Sequence, residues 1–94
     1  MRSGITSTGF SYKFNEQNAD DMRFVDLIAA TVSEDTELFE KISAASQIVE
    51  LLLGKEQKTA LYKHIGQSFG GRVPYAELEK AIAEIMSGSA DTKK

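Results

Sequence analysis

The sequence has no cysteine. Disulfides, thiolate catalysis and zinc-thiolate sites are therefore excluded, and the composition suits a reducing compartment. It has no long hydrophobic run either. The longest, Ile48-Val49 with Leu51-Leu52-Leu53, is broken by Glu50 and is far too short to span a bilayer. The opening MRSGITSTGFSYKF lacks the apolar segment of a secretory signal, so the expected location is the cytoplasm. Bases do not outnumber acids: there are 11 Lys and Arg against 14 Asp and Glu. The net charge is -3, and the sole basic run is Lys93-Lys94. A duplex-binding domain carries a basic face, so neither nucleic acid nor an anionic membrane is an expected partner. Histidine occurs once, as His64.

What is present is an ordinary globular mixture, 41% hydrophobic and 27% charged, in 94 residues. One domain is the natural expectation. Residues 1–8 are small and polar and read as a flexible lead segment. Residues 9–88 read as a single domain and 89–94 as a polar tail. Within 9–14, Phe10, Tyr12 and Phe14 alternate with polar residues, the period of a strand. A strand needs a partner. The open choices are a hairpin arm at Ile5–Ser7, another chain, or a place across the helices. The three aromatics are equally readable as core or as a partner-binding edge.

Four helices are expected after the strand. Asn18 is a good N-cap for the first, with Asp20 and Asp21 in its opening turn. Met22, Val25, Ile28, Ala29 and Val32 make its apolar face, widened by Phe24 and Leu27, so it is expected to be well buried. Ser33-Glu34-Asp35-Thr36 separates it from the second helix. Leu38, Ile42, Ala45, Val49 and Leu52 form the cleanest stripe in the chain, and Gly54 ends it. The third helix runs from about Glu56 to Ser68, with Gly66 near its end. The fourth starts at Pro74 and carries Tyr75, Leu78, Ile82 and Ile85. The fold class is mainly α, a four-helix domain with a short N-terminal strand or hairpin.

FGGRVPYAELEKAI, Phe69 to Ile82, invites a phosphate-loop reading. Its glycines are adjacent, a helix precedes them, and no Lys-Ser/Thr pair follows. Gly70 and Gly71 are better read as a helix stop, and Pro74 as the next start. His64 borders the third helix's apolar face, where a lone histidine is packed or solvated more often than catalytic. No nucleophile motif accompanies it. The carboxylates fit caps and solvated faces, and no metal-binding spacing occurs. The last helix presents Glu77, Glu79, Lys80 and Glu84, the wrong chemistry for reading bases. No enzymatic activity, cofactor or metal is expected.

A set of blocks takes the reading further. These are Ser7-Thr8-Gly9-Phe10, then Asp20-Asp21-Met22-Arg23-Phe24-Val25-Asp26-Leu27-Ile28, then Leu51-Leu52-Leu53-Gly54-Lys55-Glu56-Gln57 with Leu61-Tyr62-Lys63-His64, then Gly71-Arg72-Val73-Pro74 and Ile82 to Met86. Together they resemble the small tail assembly chaperones of long-tailed bacteriophages and prophages, from about Gly9 to Gly88. It is a pattern of hydrophobic blocks and turns, with no catalytic signature. The resemblance implies a protein that binds the aggregation-prone tape-measure protein before the tail tube polymerises. It also implies action without ATP or metal in the bacterial cytoplasm, and allows homo-oligomers. The alternative is a protein-binding regulator or minor structural protein of a mobile element.

Overall fold

The computed structural model describes residues 2–87; the tail expected at 89–94 lies outside them. An antiparallel hairpin opens the chain. Strand β1, Arg2–Ile5, pairs with β2, Ser11–Phe14, in the register Arg2↔Phe14 to Ile5↔Ser11. The flexible segment expected at 1–8 is thus corrected: it is ordered from Arg2. Its side chains offer little to bury, but its backbone pairs with a strand anchored by aromatics. The connection closes on itself. Thr6 N–H donates to the Phe10 carbonyl at 2.9 Å, and the Thr6 hydroxyl accepts from Phe10 N–H at 3.1 Å. The expected arm at Ile5–Ser7 therefore lies too far along the chain, since Thr6 and Ser7 belong to the loop.

A 3-10 turn, Glu16–Ala19, follows, with the Asn15 side chain accepting from Gln17 N–H. Helix α1 spans Met22–Val32. Its cap is Asp21, whose carboxylate accepts from Arg23 N–H at 2.8 Å, and not Asn18 as expected. Asn18 is spent in the 3-10 turn, where its amide donates to the Leu52 carbonyl. Asp20 and Asp21 accordingly precede the helix and do not occupy its first turn.

Helix α2 spans Leu38–Gly66 and α3 spans Tyr75–Ser87. The long α2 is broken at Gly54, with φ 84° and ψ 166°. Residues with a Cβ rarely adopt that backbone, so glycine is what permits the bend. The arms 38–53 and 55–66 are the expected second and third helices, and α3 is the fourth. The Phe69–Pro74 stretch is a helix stop and start. Gly71, at φ 94°, returns its N–H to the Gly66 carbonyl at 2.8 Å. Pro74 then accepts from Glu77 and Leu78 as α3 begins.

The core joins all these elements. Phe10, Tyr12 and Phe14 from the hairpin meet Phe24 of α1, Ile48, Val49, Leu52 and Leu61 of α2, and Ile82 and Ile85 of α3. Among the described residues no helix is long and apolar enough to cross a membrane.

Candidate functional site

Helix α1 is apolar on two adjoining sides. At 100° per residue, Phe24, Leu27 and Ile28 fall on one side, and Met22, Val25, Ala29 and Val32 on the other. Only the first side faces the domain. Phe24 is buried, and Leu27 and Ile28 pack against the core. The second side is open to solvent: Met22 is 68% exposed and Val32 73%. This corrects the expectation of a well-buried first helix.

The opening of α2 departs from expectation in the same direction. Its stripe is buried at Ala45, Val49 and Leu52 but open at Leu38 and Ile42, with Phe39 beside them 84% exposed. Among the described residues, six of the eight exposed large hydrophobic side chains lie between Met22 and Ile42. Scattered exposed apolar residues are normal in a folded protein, whereas this clustering within a helix, a turn and the next helix makes the stretch a candidate contact surface.

The charge around this strip is one-sided. Between Asp20 and Lys41 there are seven acids and two bases, a local balance of -5 in a chain whose total is -3. One base is further engaged. Arg23 holds Asp21 with its guanidinium nitrogen 2.6 Å from the carboxylate. Those hydrogen bonds keep the Asp21 carboxyl below its ordinary range. The exposed apolar side chains therefore belong to a segment of net negative charge.

The hairpin offers a different picture. Phe10, Tyr12 and Phe14 do share one face, but it is the core face, with all three less than 10% exposed. Of the two readings considered for them, core or partner-binding edge, their side chains occupy the core. The outer edge of β2 is also engaged. The Gln57 side chain accepts from Lys13 N–H at 2.8 Å and donates to the Lys13 carbonyl at 2.6 Å, as a neighbouring strand would. His64 lies against the Phe10 ring, with Nε2 3.1 Å from the Thr8 carbonyl. Glu84 of α3 accepts from both Ser7 N–H, at 2.9 Å, and Ser7 Oγ, at 2.6 Å. These contacts read as a structural clamp on the hairpin loop. Among the described residues no cluster of three or more acids or histidines is placed to hold a metal ion.

Burial pushes the Glu84 carboxyl up, but the two Ser7 hydrogen bonds and nearby Lys80 outweigh it and hold the group below its ordinary value of 4.5. A carboxyl depressed by folding stabilises above its unfolded value, and that contribution is lost as pH falls through its folded value. Stability is therefore expected to fall below about pH 4.5. Glu84→Gln should flatten part of that acid limb, measured by urea unfolding across pH. An identical acid limb would show that the clamp contributes nothing.

Sequence reasoning found the strip's residues but assigned them inward. The available signal was the doubled apolar character of 22–32, more than one core contact can absorb. The clamps had no such signal, because Ser7 and Glu84 are 77 positions apart. No protein family, curated protein or solved structure matches the chain.

Proposed function

We propose that this is a non-enzymatic bacteriophage or prophage protein, a tail assembly chaperone that binds the tape-measure protein in the host cytoplasm and keeps it soluble until the tail forms. The observation that carries the reading is the exposed apolar strip from Met22 to Ile42. A holding protein needs apolar surface for its client and charge around it for its own solubility. The strip supplies both. The choice of client rests on the resemblance of the sequence blocks.

Magnitudes favour many weak contacts over one strong one. Burying a Val, Leu, Ile, Phe or Met side chain fully contributes about 1.5–3 kcal/mol. Six partly exposed ones give roughly 6–12 kcal/mol gross, while association costs about 4–15 kcal/mol. One chain on one site is thus weakly bound. Several copies along a long client hold it firmly and still release it stepwise.

Co-expression with a tape-measure fragment tests the reading. The wild type is expected to keep the fragment in the supernatant. A Val32→Ser, Phe39→Ser double variant should lose that ability with its helicity unchanged, since both side chains face solvent. A fragment that precipitates beside the wild type overturns the assignment.

A further inference from the structure

Resting on that protein-binding reading, we infer that the strip receives an amphipathic helix whose apolar stripe is flanked by lysine and arginine. Three observations fix the occupant. The first is the scarcity of backbone partners along the exposed side of α1. Both α1 and the start of α2 are helical, so their mid-helix N–H and C=O groups are already bonded internally. An extended peptide lying along α1 would bury its own backbone groups against Met22, Val25 and Ala29, where the helix offers nothing to pair them. A helix brings its backbone satisfied.

The second is spacing. Met22, Val25, Ala29 and Val32 recur at steps of three, four and three, the seam of a helix that packs against another helix. From Met22 to Val32 the seam is about 15 Å long, at about 1.5 Å per residue. Ala29 stands within it, where a small side chain lets a second helix come close. Leu38 and Phe39, beyond the 33–37 turn, are also exposed.

The third is charge. A strip-to-strip dimer would bring together two copies of the 20–41 segment, each with a net charge of -5 from seven acids and two bases. Like charges across an interface oppose it, and opposite charges choose the partner and speed its approach. The strip therefore selects a basic helix and disfavours its own copy.

Fluorescence anisotropy with three labelled peptides of about 18 residues, about five helical turns, tests this. The first carries a leucine stripe flanked by Lys and Arg, the second the same stripe flanked by Glu. The third is the basic peptide with two central prolines that forbid a continuous helix. The basic helical peptide is expected to bind at least about tenfold tighter than either control. Its binding should weaken as salt rises from about 0.1 to about 1 M, where the screening length falls from about 10 to about 3 Å. The Val32→Ser, Phe39→Ser double variant should lose about tenfold or more. Equal binding of the acidic peptide overturns the charge argument, and equal binding of the proline peptide overturns the helical one. A dimer by sedimentation that this double variant dissolves would assign the strip to a second copy instead. If no peptide binds yet the tape-measure fragment stays soluble, the inference fails and the holding function stands. If both fail, both fall.

Discussion

Tyr12→Lys is expected to unfold the domain. Tyr12 is 3% exposed and sits between the hairpin and the helices, in the same cluster as Phe14 and Leu52. Losing a buried aromatic costs about 3–5 kcal/mol. An ammonium left in its place adds the penalty of a buried charge without a partner. A domain of this size is stable by roughly 5–14 kcal/mol, so the two terms together consume most or all of the margin. Far-ultraviolet circular dichroism should show helicity much reduced at 37 °C, or a midpoint of thermal unfolding far below the wild type. A variant that keeps its helicity and its midpoint would mean that the β2 face is open, and that the hairpin deserves reconsideration as a binding edge.

Leu52→Ala is the second large effect. Leu52 is 1% exposed at the centre of α2, among the most buried side chains of the protein, just ahead of the Gly54 bend. Its truncation leaves a cavity in the core, into which the surroundings relax only partly. The expected cost is about 2–5 kcal/mol. In a domain this small that lowers the unfolding midpoint by at least about 10 °C. The contrast with Val32→Ser is informative. Val32 is 73% exposed, so the same assay should register a shift of no more than a few degrees. Two apolar residues on comparable stripes then separate by place: one holds the fold and the other lies open to solvent.

Much of this architecture is legible in the chain. The alternation at Phe10, Tyr12 and Phe14 specifies a one-faced strand. Ser33–Thr36, Gly54 and Gly70-Gly71 followed by Pro74 mark the helix ends, because each residue there suits a backbone that a continuing helix does not use. The β1 arm was hidden, since Arg2-Ser3-Gly4-Ile5 carries no alternation and is recruited through its backbone. The start of α1 was misplaced by about a turn, because Asn18 and Asp21 are both good caps and only tertiary contact with Leu52 decides between them. The candidate site was half legible. Periodicity reports which side of a helix is apolar, not what covers it. Met22, Val25, Ala29 and Val32 form a genuine stripe, yet Phe24, Leu27 and Ile28 on the adjoining side won the contact with the core.

The central claim is that the apolar strip, and not the hairpin, is the surface that meets a partner. Amide nuclear magnetic resonance of the folded protein, titrated with the basic leucine-stripe peptide or a soluble tape-measure fragment, tests it residue by residue. The account predicts shifts concentrated between Met22 and Ile42, largest around Val32, Leu38 and Phe39, with Ser11–Phe14 undisturbed. Shifts centred on the outer edge of Arg2–Ile5, with 22–42 unchanged, would contradict it.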